Sequence, residues 1–223
     1  MGRRSETPRK GDLREQALLD AAEELLARVG LERMTVEDIA KGAGISRGSL
    51  YFYFRSKQDV LAALVARTMI AVREDAARAA EDTASPPARS VERALLRTGR
   101  MWREHGTVMR AAVENAARNE AVGRSWNETV EVFAAAMRQV LVRAGLPDGD
   151  GPADAAAVAR ALCWMTERCY YLAYGEIGAA DAIATAPSSP AAGGRGDGGS
   201  DPLDRATATL REVWLRVIAP GAV

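Results

Sequence analysis

The sequence predicts an all-α protein of about nine helices. In several long segments, apolar residues recur every three or four positions, the spacing of one face of an α-helix. Aromatic residues make up only 5% of the chain, whereas Ala, Leu, Glu and Arg are abundant, which favours helix over sheet. Clusters of Gly, Pro and Ser separate the periodic segments. The 223 residues suffice for a small and a larger helical domain.

The N-terminal part predicts a polar, basic arm over residues 1–10, a helix over 12–29 and two short helices. Thr35 is a predicted N-cap, with Asp38 three residues later as the carboxylate of a capping box. Gly44 stops this helix, since it can adopt the left-handed conformation of a sharp turn. Ser46 is the predicted cap of the next helix, in which Leu50 and Phe54 face inward.

The rest of the chain predicts longer helices and two linkers. We expect the helices over residues 57–80, 91–104, 107–118, 121–144, 153–174 and 203–218. A kink at His105-Gly106 separates the third from the second of these. Residues 82–90 form a linker, and residues 186–202 are rich in Gly, Pro and Ser and predict a disordered loop. The expected domains are 1–57 and 58–223.

Two short helices joined by a turn containing Gly form the motif that lays a recognition helix into the major groove of DNA. Between residues 39 and 57 there are four basic residues and no acidic one. The whole chain is neutral, with 30 basic and 30 acidic residues, so this locally basic face is offset by acidic residues elsewhere. This distribution indicates a local DNA-binding surface. A solvated charged face on an ordinary helix is the alternative that charge alone leaves open.

The segment from about residue 13 to 65 closely resembles the N-terminal domain of TetR-family transcriptional regulators. The resemblance rests on the pattern G-x-S-x-G-S-L-Y-x-[YH]-F-x-S-K, which this chain matches as GISRGSLYFYFRSK. Chemistry and resemblance together predict this set of DNA-binding residues: Thr35, Ser46, Arg47, Gly48, Ser49, Tyr51, Phe52, Tyr53 and Lys57.

Distinct roles are expected within this set. Tyr53 and Lys57 should hold phosphates, as the matching positions do in the family, and Arg47 can recognise guanine. Tyr51 can contact a thymine methyl group or a phosphate. Packing inside the small domain is the alternative for both tyrosines, and for Phe52 packing and sugar contact remain equally open.

Residues 90–217 resemble, more weakly, a narrower group in the family, the regulators similar to the mycobacterial repressor of ethionamide activation. That resemblance implies a hydrophobic tunnel for a small molecule. The predicted ligand-binding residues are Leu96, Trp102, Trp126, Val130, Phe133, Met137, Cys163, Thr166 and Trp214. The sequence departs from the group at two positions where the group has polar amide side chains and this chain has Cys163 and Thr166, so the polar end of the tunnel differs. Core packing is the alternative for each aromatic residue.

Together these features predict a ligand-responsive transcriptional repressor that binds a palindromic operator in double-stranded DNA and is released by a hydrophobic small molecule. We expect a homodimer, because two half-sites require a two-fold axis. Its interface is predicted on the last two helices, through Val158, Leu162, Met165, Cys169, Leu210, Val213, Trp214 and Val217. A DNA protein of the nucleoid type or a helical binder without inducible control is the alternative.

Other classes of function find little support in the sequence. No apolar run is long enough to span a membrane and no signal peptide is visible, so we expect a cytoplasmic protein. Cys163 and Cys169 point to different sides of one helix, and with a single His they predict no metal site and no cofactor. The pairs Glu114 with Glu120 and Glu128 with Glu131 lack a catalytic partner in register, so we predict no enzyme.

Overall fold

The computed structural model describes residues 10–184 and 201–218, and these residues confirm the all-α prediction. The described ranges contain helices and no strand. The helices are α1 (Lys10–Arg33), α2 (Val36–Gly42), α3 (Arg47–Leu50), α4 (Lys57–Glu81), α5 (Pro87–Ala116), α6 (Glu120–Arg143), α7 (Ala155–Ala184) and α8 (Pro202–Ile218). The loop predicted over 186–202 lies outside the described residues except for its last two, and so does nearly all of the arm predicted over 1–10.

Helix α5 joins two segments that the sequence predicts as separate helices. Its backbone leaves helical geometry only at His105, with φ −126° and ψ 21°. One residue of this kind bends a helix without ending it, so the predicted kink is confirmed and the predicted break is wrong. With α5 divided at His105 and α1 counted as one helix despite its interruption at Gly30, the described ranges contain the nine helical segments expected. The helix also begins earlier than predicted, at Pro87, because proline is well tolerated in a first turn.

Helix α7 extends to Ala184, ten residues beyond the predicted end near Tyr174. The extension is rich in Ala and contains no Pro, so Gly175 and Gly178 lower its helix propensity without providing a stop. Helix α3, in contrast, is only four residues long. The residues that follow it, Tyr51 to Tyr53, form a turn.

The described chain groups into two compact units. The first contains the residues up to Arg67 together with Thr107–Trp126, and the second contains Thr68–Gly106 together with the residues from Asn127 onward. The first unit therefore extends past the expected boundary after residue 57 and includes parts of α5 and α6. Helices α4, α5 and α6 each contribute residues to both units.

The first unit has a core of aliphatic side chains from its short and long helices. Leu18, Ile39, Leu50, Leu61 and Leu64 have no exposed surface. An ion-pair cluster joins α1 to α4 at the edge of this core. There, the Arg67 guanidinium lies 2.6 Å from Asp20 Oδ1 and 2.6 Å from Glu23 Oε2.

The second unit is held together by buried polar contacts as well as by apolar packing. The Tyr170 hydroxyl of α7 donates to the Leu95 carbonyl oxygen of α5 at 2.9 Å and lies 2.9 Å from the Thr207 hydroxyl of α8. Burial raises the pKa of Tyr170 to about 12, so this hydroxyl keeps its proton at neutral pH. The Arg143 guanidinium of α6 donates to the carbonyl oxygens of Ala79 and Ala80 near the end of α4, at 2.9 and 2.7 Å.

Glycine allows one especially close approach in this unit. A Cβ atom built on Gly106 would lie 2.1 Å from Cε2 of the Tyr174 ring, well inside van der Waals contact. The Tyr174 ring in turn packs against Trp102, with ring centroids 6.0 Å apart. At the kink, α5 can therefore approach the Tyr174 ring of α7 this closely only because residue 106 has no side chain. None of the helices in the described ranges is long and apolar enough to cross a membrane.

Candidate nucleic-acid interface and ligand-binding region

Capping hydrogen bonds define both ends of the predicted helix-turn-helix. The Thr35 hydroxyl oxygen accepts from the Asp38 backbone N–H at 3.1 Å, and its own proton is donated to Asp38 Oδ2 at 2.6 Å. Ser46 Oγ accepts from the Ser49 backbone N–H at 3.1 Å. The two N-caps predicted from the sequence are confirmed, and they fix where each short helix begins.

The turn between α2 and α3 uses the one conformation that strongly favours glycine. Gly44 has φ +67°, in the left-handed region, as predicted. The Ile45 backbone N–H then donates to the Ala40 carbonyl oxygen at 3.0 Å and closes the end of α2. This turn sets the direction in which α3 leaves α2.

Leu50 and Phe54 attach the α3 segment to the core of the first unit. Both side chains are buried, which confirms the prediction that they face inward. The Tyr53 and Phe54 backbone N–H groups both donate to the Leu50 carbonyl oxygen, at 2.8 and 3.0 Å. The chain thus tightens into a turn after Leu50, consistent with the modest helix propensity of aromatic residues and with the new N-cap at Ser56.

The opposite side of this segment presents three large side chains to solvent. Phe52 is 90% exposed and Tyr51 is 44% exposed. The Arg47 guanidinium lies 5.7 Å from the centroid of the Tyr51 ring and donates to its hydroxyl at 3.3 Å. The hydrogen bond with Tyr51 raises the pKa of Arg47. Arginine is always charged in proteins, so a cation is held over an aromatic ring here.

The other members of the predicted DNA-binding set surround these three side chains. Thr35, Ser46 and Gly48 are exposed, and Ser49 and Tyr53 are partly buried. The Tyr53 hydroxyl lies close to Gly11, near the start of α1. Its ring also packs on Phe54, with centroids 6.5 Å apart, so Tyr53 takes part in the core as well as in the surface.

Lys57 has partners inside the protein that the sequence did not suggest. Its Nζ donates to the carbonyl oxygens of Leu31, Glu32 and Met34 at 2.8, 3.0 and 3.2 Å. An ammonium group has three donors, and here each has a carbonyl partner. These carbonyls follow Gly30, which interrupts α1 with φ +74°. Lys57, the first residue of α4, therefore satisfies the end of α1.

Seven of the nine predicted ligand-binding residues are buried or partly buried in the second unit. The exceptions are Trp126 and Leu96. Trp102, Val130, Met137, Thr166 and Trp214 are buried in the second unit, where Phe133 and Cys163 are partly buried. Trp126 is buried in the first unit. Leu96 is 61% exposed, on the outside of α5.

One polar contact links two members of this set. The indole N–H of Trp214 donates to the Thr166 hydroxyl at 3.0 Å, and both side chains are buried. Cys163 lies one turn before Thr166 on α7, and burial raises its pKa to about 12, so its thiol is neutral and weakly nucleophilic. The polar part of this interior therefore consists of small neutral groups.

Comparison with known proteins agrees with this architecture. Residues 18–64 match the family model of bacterial regulatory proteins of the tetR family, a range that contains every predicted DNA-binding residue. The chain is 34% identical over 180 residues to the HTH-type transcriptional regulator EthR of Mycobacterium tuberculosis, covering 78% of this chain and 81% of that protein. It is 29% identical over 221 residues to EthR of Mycolicibacterium smegmatis, covering 97% and 91%.

This chain belongs to the TetR family.

Solved structures agree on the fold alone. The fatty acid degradation regulator FadR of Bacillus halodurans superposes with a TM-score of 0.64 at 17% identity, covering 96% of this chain and 99% of that chain. The predicted TetR resemblance is thus confirmed, including its similarity to EthR. The relatives are named as transcriptional regulators, which places the chain among DNA-binding regulators of transcription.

One residue of the TetR-type second unit escaped the sequence-based prediction. Glu167 follows Thr166 on α7 and is only 7% exposed. Neither of its carboxylate oxygens has a hydrogen-bond partner. Sequence periodicity could have found it, since Glu167 lies four residues after Cys163 and three before Tyr170, on the apolar side of the helix.

Proposed function

We propose that this protein is a ligand-responsive repressor that binds a palindromic operator as a homodimer and is released by a small molecule with a large apolar part. The observation that carries the DNA-binding half is the exposed group of Arg47, Tyr51 and Phe52, mounted on a segment whose opposite side is buried. A rigid base with exposed polar and aromatic side chains suits insertion into a major groove.

Within the proposed interface, Arg47 recognises a base edge and Tyr53 contacts a phosphate. Arg47 is suited to its role because its guanidinium is the usual bidentate partner of guanine, and the Tyr51 ring restricts its orientation. Tyr53 places a hydroxyl near the start of α1, at the side of the exposed group. Thr35, Ser46, Gly48 and Ser49 complete the surface at which the backbone approaches DNA.

For Lys57 we propose a positioning role in addition to the predicted phosphate contact, which stays a prediction. Its three hydrogen bonds hold the start of α4 against the end of α1. Only residues 54–56 separate the turn of Tyr51 to Tyr53 from α4, so an error in the position of α4 would displace those side chains.

The proposed dimer interface lies on the sides of α7 and α8 that the protomer leaves uncovered. Leu162, Leu210 and Trp214, predicted as interface residues, are instead buried within the protomer. Their spacing on the helix does not distinguish the two kinds of burial. The other predicted interface residues are only partly buried: Val158, Met165 and Cys169 on α7 and Val213 and Val217 on α8. Leu172 of α7, which the prediction did not include, is 58% exposed.

The proposed effector site lies in the second unit, among the predicted ligand-binding residues buried there. Helix α4 contributes residues to both units, so a ligand that shifts its second half can change the spacing of the two recognition segments in a dimer. Such a ligand acts only if it binds the DNA-incompetent state more tightly. A preference of about 100-fold corresponds to roughly 2.7 kcal/mol of coupling.

The proposal is tested by first locating the operator in the DNA next to the gene. The affinity of the protein for that operator is then measured with and without hydrophobic compounds that raise the melting temperature. We expect some stabilising compounds to release DNA. Phe133→Ala should weaken release without changing the DNA affinity of the free protein, and Val132→Ala, on the exposed side of α6, is the matched control. If stabilising compounds never change DNA affinity, the chain is a regulator without this switch. Light scattering at micromolar concentration tests the dimer.

A further inference from the structure

Glu167 is a buried acid with no compensating hydrogen bond. Its side chain is 7% exposed, and both carboxylate oxygens are inaccessible to solvent and without a hydrogen-bond partner. Burying an isolated carboxylate costs several kcal/mol or more, so folded proteins supply such a group with donors. A buried carboxyl group without donors is therefore a position where a donor from outside the chain can bind.

The cation beside Glu167 does not fill this position. Arg168 Nε lies 3.8 Å from Glu167 Oε2, beyond hydrogen-bond distance, and the arginine side chain is 54% exposed. The Arg168 guanidinium is instead directed over the Tyr171 ring, 4.9 Å from its centroid. Burial raises the pKa of Glu167 and Arg168 only partly offsets this, which agrees with an incompletely compensated acid.

Helix geometry places Glu167 on the same side of α7 as Arg160, which contacts α6. Arg160, seven residues earlier and hence on the same side, pairs with Glu131 of α6, at 2.8 Å between Arg160 Nε and Glu131 Oε1. Cys163 lies on this side between them and senses the charge of Glu131. Val130, Phe133 and Met137 of α6 belong to the same unit as Glu167, where Val130 and Met137 are buried and Phe133 is partly buried.

We propose that Glu167 binds the protonated amine of a cationic, amphiphilic effector whose apolar part packs against α6. This inference rests on the proposed function, since it specifies the class of effector. An ammonium group offers three hydrogen-bond donors and a positive charge, which match two unpartnered acceptor oxygens and their negative charge. The neighbouring Thr166 hydroxyl is already occupied by Trp214, so Glu167 is the unsatisfied polar group of this stretch.

The test compares three probes of nearly equal shape, 4-phenylbutylamine, 4-phenylbutanol and 4-phenylbutyrate, by calorimetric titration of wild-type protein and Glu167→Gln at neutral pH. We expect the amine to bind wild type at least about 10-fold more tightly than Glu167→Gln, because one charged hydrogen bond is lost. The alcohol should bind both proteins equally. Equal binding of the amine to both proteins, or strongest binding of the carboxylate to wild type, would overturn the inference.

Two further measurements keep the result interpretable. Glu167→Gln should melt at the same or a higher temperature than wild type, because it removes an unpaired buried charge. Should it fail to fold, Glu167→Asp retains the charge on a shorter side chain and should still prefer the amine over the alcohol, by a smaller factor. A Glu167→Asp protein that binds the amine and the alcohol equally counts against the inference.

Operator release, measured with the same probes, separates this inference from the proposed function. If the amine binds through Glu167 and DNA affinity does not change, the acid site stands and the effector role fails. If the alcohol or the carboxylate releases DNA equally well from wild type and Glu167→Gln, the effector role stands and the assignment of Glu167 fails.

Discussion

The two units of this TetR-family protein carry their candidate functional residues in opposite ways. In the first unit, the side chains of Arg47, Tyr51 and Phe52 are exposed to solvent. They lie on a short segment whose first and last backbone groups are hydrogen-bonded by neighbouring residues. In the second, Thr166, Glu167 and Trp214 lie inside, between helices of 17 to 30 residues. An exposed side chain keeps its position only if the segment that carries it is anchored in the core. A buried polar side chain needs a hydrogen-bond partner from another helix or from a ligand.

The difference extends to how each unit tolerates polar atoms. The polar groups around α2 and α3 find partners within about one helical turn, as capping groups do. Polar groups inside the second unit find partners on other helices, as Tyr170 does with Leu95, or none, as with Glu167. Local sequence therefore determines the first arrangement far more than the second.

The largest effect on stability is expected at Lys57, whose hydrogen-bond partners in the first unit are distant in the sequence and not local. Lys57→Met removes three hydrogen bonds from a cation to carbonyl groups, and we expect it to lower the free energy of unfolding by about 3 kcal/mol. Lys41→Met, at an exposed lysine of the same unit, is the control and should change little. Urea denaturation measures both. Unchanged stability of Lys57→Met would show that Lys57 acts only at the DNA surface.

A smaller effect is expected for the close contact in the second unit. Gly106→Ala places a methyl group on the Tyr174 ring and should cost about 2 kcal/mol, because the ring must leave its position beside Trp102. Gly175→Ala, where a Cβ atom meets nothing within 4 Å, should instead stabilise α7 by roughly 0.5–1 kcal/mol. Thermal unfolding distinguishes the two. If both variants melted alike, the packing between α5 and α7 would be looser than described.

The exposed face of the first unit should respond in binding and not in stability. Arg47→Ala should weaken operator binding by about 10-fold or more and reduce discrimination at one base pair, since a base-edge contact is lost. Tyr51→Phe keeps the ring and loses only the hydroxyl that accepts from Arg47, so its effect should be smaller. Titrations over a series of mutated operators measure both. A uniform loss on every operator would assign Arg47 to a phosphate.

The smallest effect is expected at the ion-pair cluster between α1 and α4. Arg67→Met removes contacts to Asp20 and Glu23, and because these groups are partly solvated the cost should be about 1 kcal/mol or less. The loss should shrink further in high salt, which screens the pairs. Melting curves at low and high salt check this. A loss that does not depend on salt would mean that the arginine stem stabilises by packing.

Sequence was sufficient where the controlling interactions are local. The caps at Thr35 and Ser46, the left-handed Gly44 and the inward Leu50 and Phe54 follow from spacing over a few residues, and each is confirmed. The end of α3 at Leu50 escaped prediction, since the helix was expected to continue to Phe54, because aromatic residues permit both helix and turn.

Long-range contacts set the limit of prediction in the second unit. Helical periodicity shows that Leu210 and Trp214 are buried, and it does not show whether the protomer or a partner covers them. In the same way, the unsatisfied state of Glu167 depends on which helices surround it, and no local pattern contains that information. Leu96 shows the opposite error: it was predicted to line an interior site and is exposed, because its burial depends on where α7 and α8 contact α5.

The contact between Lys57 and the end of α1 has a consequence for how the first unit folds. A helix end is usually closed by residues next to it, so that it can form early and alone. Here the donor arrives from 26 residues away in the chain, on the first residue of α4. The last turn of α1 therefore gains its full stability only after the helix-turn-helix between them has closed, and the two long helices and the recognition segment fold as one cooperative unit.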